Sequence, residues 1–192
     1  MSTFLELDPF FAKRDISRKS GQPVEIARTK RLLIRETVLR DVPELYQIWQ
    51  HPSVKAYMQP MQPTLEEEID FMEAYIRYAY SFYDFGLWSV LELESEDVIG
   101  RIGLSVSEHL EDAVELGYMI APKCQRKGYA IESGEAVLKY ASQVLDLPEI
   151  HLLSDAENIA SLKTARALGF VECEEKYIQY RKVIHMIWKE NR

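Results

Sequence analysis

The spacing of apolar positions changes several times along the chain, and each change marks an element. Leu32-Leu33-Ile34-Arg35-Glu36 has the density of a strand. Asp41-Val42-Pro43-Glu44 has capping-box spacing, and Leu45, Ile48 and Trp49 follow at helical intervals. This predicts a short helix closed by His51-Pro52. A second box, Thr64-Leu65-Glu66-Glu67, opens a longer helix with Leu65, Ile69, Met72, Tyr75, Ile76 and Ala79 on one face. Strand-like runs at 87–93, 98–106 and 114–120 are separated by short polar links, as hairpins require. Helical spacing returns over about 128–145, through Ile131, Gly134, Leu138, Ala141 and Leu145. A short strand at 150–153, a helix at 158–168 and strands at 171–177 and 180–188 complete the pattern. Gly134 inside its helix costs about 1 kcal/mol against Ala, which predicts close helix–sheet packing there. The order predicts an α/β (α+β) fold: a mixed, mostly antiparallel sheet of about seven strands with helices on both faces.

Residues 1–28 read as an N-terminal arm preceding a domain at 29–192. Asp8 suits an N-cap with Pro9 at the first helical position, and Ser20-Gly21 would end that helix. Phe4, Leu5, Leu7, Phe10 and Phe11 are too many apolar groups to leave in water. The arm is expected to dock on its own domain or on a second subunit of a homodimer.

Composition narrows the function. The 192 residues carry 31 acidic and 23 basic side chains, a formal charge of −8, which argues against broad contact with a nucleic-acid backbone and suits a cationic or amine substrate. Two distant cysteines, Cys124 and Cys173, form neither a disulfide framework nor a metal pair. The four histidines show no ligand spacing, so no metal is expected. With no signal pattern at the N-terminus and no run of membrane-spanning length, a cytoplasmic protein without membrane contact is expected.

The most informative segment runs from Glu115 to Ala130. A strand ends at Ile120, a polar loop turns, and a helix opens at Gly128. Amides at a helix start lack internal partners and carry partial positive charge. Gln125, Arg126, Lys127 and Gly128, running into Tyr129 and Ala130, therefore form an anion cradle with two added cations, suited to a pyrophosphate. Glycine there would let backbone approach a ligand where a Cβ would collide. GxxxxGK[ST] and GxGxxG are both absent, which removes the main support for nucleoside triphosphates and dinucleotides. The competing local reading is a purely structural junction. A second segment, 158–170, has Asn158 as N-cap, Ser161 one turn on, and Gly169 before Phe170.

With both segments in this order, the chain resembles the GNAT superfamily of acetyl-CoA-dependent N-acetyltransferases, and most of all its RimJ/RimL-like branch. Gln125, Gly128 and Ala130 match the cofactor loop, and Gly128, Tyr129, Ala130 and Glu132 its continuation. Glu115, Gly117 and Tyr118 match the preceding strand. Asn158, Ser161, Leu168, Gly169 and Phe170 match the last helix, and residues 29–35 the first strand. The resemblance implies a V-shaped splay between the fourth and fifth predicted strands. Pantetheine would meet backbone at Met119 and Ile120 on one side and Asn158 and Ser161 on the other, with pyrophosphate on the loop from Gln125 to Ala130.

The implied reaction is attack of a primary amine, on a small molecule or a protein N-terminus, on the acetyl thioester. Backbone N–H near Met119 or Ile120 is the candidate oxyanion donor. Glu115 is the candidate base, sharing a strand face with Gly117 and Met119; a structural carboxylate is the competing reading. The acid tyrosine common in the superfamily is replaced by Ala165, leaving Ser161 either as substitute acid or as a cofactor contact. That departure motivates an alternative function, a non-catalytic acyl-CoA-binding module. The aromatic cluster 75–85 falls near the acceptor site by family geometry, although packing explains it as well.

Overall fold

The computed structural model describes residues 22–190; the helix and apolar cluster expected within 1–21 lie outside it. The described chain runs β1 (Glu25–Arg28), β2 (Leu32–Glu36), α1 (Val42–Gln50), α2 (Pro52–Lys55), α3 (Leu65–Tyr83), β3 (Leu87–Glu92), β4 (Val98–Val106) and β5 (Val114–Ile120). It continues through α4 (Tyr129–Gln143), β6 (Glu149–Asp155), α5 (Ile159–Ala167), β7 (Val171–Ile178) and β8 (Arg181–Lys189). One eight-stranded sheet results, in the order β1-β2-β3-β4-β5-β6-β8-β7. Every neighbouring pair is antiparallel except β5 with β6. The strand beyond those the periodicity identifies is β1, four residues too short to show a period, paired with β2.

Alternation along the strands divides the core. Ile34, Trp88, Val90, Ile102, Leu104, Ile150 and Met186 are fully buried, and Trp88 meets Tyr140 of α4 edge-on at 5.4 Å. The other face carries a buried polar cluster. Arg35 and Asp41 form a two-pronged ion pair at 2.7 and 2.8 Å, and Ser89 Oγ donates to the same carboxylate at 2.7 Å. This is why the first expected capping box fails. Asp41 does precede α1, but its side chain makes no bond to that helix; it accepts instead from Arg35, Ser89 and the Val38 amide. The second box forms as expected, with Glu67 N donating to Thr64 Oγ1 and Thr64 N to Glu67 Oε2. Gly134 is a further correction. A Cβ there would lie 2.6 Å from Leu168 Cδ1, so glycine admits the side chain that follows α5 rather than the sheet.

Candidate functional site

The site begins with a failure of pairing. β4 and β5 are in register from Gly100–Ile120 to Val106–Val114, and β6 and β8 from Glu149–Lys189 to Asp155–Val183. Between these ladders, β5 and β6 share one register pair, Glu115 with His151. Beyond it the two strands part toward their C-terminal ends, so the V-shaped splay opens at Glu115 with Met119 and Ile120 along one arm.

The loop leaving β5 is held from several sides. It makes a 3-10 turn over Pro122–Cys124, and Gln125 Nε2 donates back to the Ile120 carbonyl at 2.9 Å. Arg126 and Gly128 both adopt positive φ, 61° and 82°. A Cβ at Gly128 would meet only Arg31 Nη2, at an ordinary 3.5 Å. Among the described residues, the requirement for glycine therefore comes from backbone conformation and not from crowding. The amides of Arg126, Lys127 and Gly128 make no hydrogen bond among the described residues, and those of Tyr129 and Ala130 open the first turn of α4. Five consecutive N–H groups thus stand at one helix start, flanked by the exposed side chains of Arg126 and Lys127.

Two residues that sequence reasoning gave no role prove central to this loop. Arg31 donates Nε to Glu132 Oε2 at 2.7 Å and Nη1 to the Lys127 carbonyl at 2.9 Å, and its guanidinium stacks over the Tyr129 ring at 4.4 Å. Glu132 also accepts from Thr29 Oγ1 at 2.6 Å and from Arg31 N at 3.1 Å. Attraction to Thr29 and Arg31 outweighs the opposing burial and holds the Glu132 carboxyl below its ordinary pKa. The residues were visible as motif matches, but long-range pairing has no local signal. Tyr129 itself is buried and its hydroxyl donates to Glu92, which makes it a support for the loop.

Across the gap, Asn158 caps α5 by accepting from Ser161 N at 3.1 Å. Ser161 is half-buried, and Tyr118 of β5 reaches it, with the phenol oxygen 3.1 Å from Ser161 Oγ and 3.2 Å from its carbonyl. Burial raises the Tyr118 pKa above 10, opposed by hydrogen bonds from Ser161 and Thr164. The phenol is therefore a neutral donor at physiological pH. Tyr118 is a third missed contributor; its motif position carried the signal, and strand parity assigns it the face opposite Glu115.

Glu115 lies on the other face of β5. Its carboxylate accepts from Ser107 Oγ, which in turn accepts from the His109 and Leu110 amides at 3.1 and 2.9 Å. A Cβ built on Gly117, two residues on, meets nothing within 4 Å, so this face is open beside Glu115. Tyr75 and Tyr80 of the aromatic cluster are committed to packing: they meet edge-on at 5.6 Å and bond the Leu87 amide and carbonyl. Arg181, from the β7–β8 hairpin, binds Asp155 at 2.9 Å and the Ala56 carbonyl at 3.0 Å, tying the strand end to α2. The histidines are not isolated, since His151 and His185 stack on adjacent strands. Among the described residues no cluster could hold a metal ion, and no helix is long and apolar enough to cross a membrane.

Comparison with known proteins agrees with this geometry. The sequence profile described as "Acetyltransferase (GNAT) domain" matches residues 31–171. The uncharacterized N-acetyltransferase p20 of Bacillus licheniformis is 27% identical over 147 residues, 77% of this chain and 83% of its own. RimL, a ribosomal L7/L12 alpha-N-protein acetyltransferase, superposes with a TM-score of 0.75 at 17% identity, over 89% of this chain and 97% of its own. Spermidine N-acetyltransferase from Vibrio cholerae, solved with CoA and spermine, superposes at 0.70 with 21% identity, over 84% and 96%. The profile spans well over half the sequence, and the splayed strand pair lies within it: the chain belongs to the GNAT family of acetyltransferases.

Proposed function

We propose that the protein transfers the acetyl group of acetyl-CoA to a primary amine, held in the gap that opens from the Glu115–His151 pair. That single pairing supports the reading, because it leaves β5 without register partners on β6 beyond a half-buried carboxylate, on the strand that runs into the loop from Gln125 to Ala130. The loop from Gln125 to Ala130 would hold the pyrophosphate through its amides and the side chains of Arg126 and Lys127. Backbone at Met119 and Ile120, with Asn158 and Ser161 opposite, would hold the pantetheine arm. In the transfer the amine nitrogen bonds to the acetyl carbon and the carbon–sulfur bond breaks. Glu115, oriented by Ser107, takes the proton the amine loses. An amide of the splayed segment at Met119 or Ile120 faces the developing oxyanion. Ser161 acts as a cofactor contact, since thiolate leaves readily without a dedicated acid.

The acceptor is a primary amine, and the two solved structures described above offer two kinds: a polyamine and a protein N-terminus. The test is calorimetric titration with acetyl-CoA, wild type beside Gly128→Glu, followed by thiol release with spermidine and with a peptide bearing N-terminal serine. Binding lost in Gly128→Glu, with turnover of either amine, supports the reading. Glu115→Gln should then lower turnover while leaving cofactor affinity nearly unchanged. Binding without turnover of any amine would favour a non-catalytic acyl-CoA-binding module, and no binding would remove the enzyme proposal.

A further inference from the structure

On the Glu115 side of the sheet, four side chains form a row across β6, β8 and β7. His151 Nε2 lies 3.0 Å from Glu149 Oε1. His151 Nδ1 lies 2.9 Å from His185 Nε2, and His185 Nδ1 lies 3.3 Å from Glu174 Oε1. The imidazoles are stacked, with centroids 5.2 Å apart. The His185 side chain is 7% exposed and that of His151 15%, whereas Glu149 and Glu174 reach solvent.

Each of the three contacts needs one proton between its two heavy atoms. Ionised carboxylates bring none, and two neutral imidazoles bring one each. The row is one proton short, so it is fully hydrogen-bonded only when the pair carries a single positive charge. Burial disfavours a charge on His151, and the neighbouring His185 adds to that, with Glu149 and Glu115 opposing. The extra proton can sit on either ring: whichever carries it donates from both nitrogens, and the neutral ring donates to the carboxylate beside it. Lys189 binds Glu149 at 2.6 Å and Lys176 binds Glu174 at 3.0 Å, leaving both carboxylates ionised. Among the described residues Glu115, register partner of His151, adds a further negative charge that acts on its ring; Asp155, further along β6, is paired with Arg181.

We propose that the His151–His185 pair is a one-proton store that sets the basicity of Glu115, making the two histidines positioning residues for the reaction. When the store is loaded, its cation favours the ionised form of Glu115 and repels an incoming ammonium group. When it is empty, Glu115 is the stronger base and the amine approaches more freely. Activity should therefore rise as pH passes upward through the store's midpoint, in the imidazole range. The inference rests on Glu115 being the base, but its physical core can be measured without an acceptor.

The test follows the imidazole nitrogens of the full chain by 15N NMR across pH, in wild type and in Glu115→Gln. One proton should be lost for the two rings together, with one midpoint seen at both. Linkage is reciprocal, so removing the Glu115 charge must move that midpoint. We expect a fall of about half a pH unit, or about threefold in proton affinity. Two separate midpoints, or one that ignores Glu115→Gln, would overturn the proposal. His185→Gln supplies a kinetic arm: with acetyl-CoA and spermidine, the acid limb of kcat/KM should flatten while its high-pH plateau stays near wild type. A merely structural row would lower the plateau and leave the limb in place. If the coupled titration is found but no amine is acetylated, the store stands and the proposed function falls.

Discussion

Glu132 ties the start of the domain to the candidate cofactor loop, and its removal tests whether that tie shapes the loop. Glu132→Ala deletes the acceptor for Thr29 Oγ1 at 2.6 Å, Arg31 N at 3.1 Å and Arg31 Nε at 2.7 Å. Hydrogen bonds to a charged group contribute about 1.5–3 kcal/mol each at full strength. Arg31 is 42% exposed, so solvent screening removes much of its share. A total near 2–3 kcal/mol remains, or roughly 4–12 °C in Tm for a chain of this size. Arg31 also loses the partner that aims Nη1 at the Lys127 carbonyl. Acetyl-CoA affinity should therefore fall even at temperatures where the variant is fully folded. Thermal unfolding by circular dichroism gives the first quantity and calorimetric titration the second. A Tm within about 1 °C of wild type would refute the stability estimate, and an unchanged Kd would separate the loop's shape from this tie.

Three further outcomes follow from other parts of the molecule. Asp41→Ala leaves the Arg35 guanidinium, 6% exposed, without its carboxylate and should cost about 3–5 kcal/mol in urea unfolding, whereas replacing Arg35 and Asp41 together by apolar residues of similar volume should cost far less. Ser161→Ala should raise KM for acetyl-CoA a few-fold with kcat nearly constant; a fall in kcat at unchanged KM would instead mark Ser161 as the acid. Lys189 holds the Glu149 carboxyl below its ordinary pKa, and Thr29 and Arg31 do the same for Glu132. Their contribution to stability is present above the unfolded value of about 4.3 and is lost as pH falls through the lower folded values, so unfolding midpoints should drop below pH 4 and drop less in a Glu132→Gln, Glu149→Gln double variant.

Much of this architecture is legible in sequence, because long amphipathic helices and alternating strands impose periods that survive tertiary packing. What escapes notice is short or long-range. β1 has four residues and no period of its own. The β7–β8 turn places Gln179 and Tyr180 at φ 47° and 65°, a left-handed pair without the glycine or asparagine that signals such turns, so Tyr180 reads as strand. Asp41 has the local spacing of a cap, yet buried Arg35 claims its carboxylate, and pairing across six residues outcompetes a surface capping bond. At the candidate site, Gln125, Gly128, Asn158 and Ser161 stand in runs whose order is informative. Arg31 and the His151–His185 pair depend on strands far apart in sequence meeting in one sheet, which no local pattern encodes.

The parity of β5 gives the proposed chemistry its geometry. Successive side chains of a strand point to opposite faces, so Tyr118 reaches α5 and Ser161 while Glu115 turns to the face where Gly117 leaves open space. A thioester lying in the splay between these faces would meet its cofactor contacts from one side and its amine from the other. This division needs β5 to be free of β6 along most of its length, since a full ladder would seal the gap. It also needs one pair to keep the arms from separating altogether. Glu115 and His151 form that pair, which places the proposed base at the vertex, and the proton store beside it, on the one stretch of the gap where the two strands still hold each other.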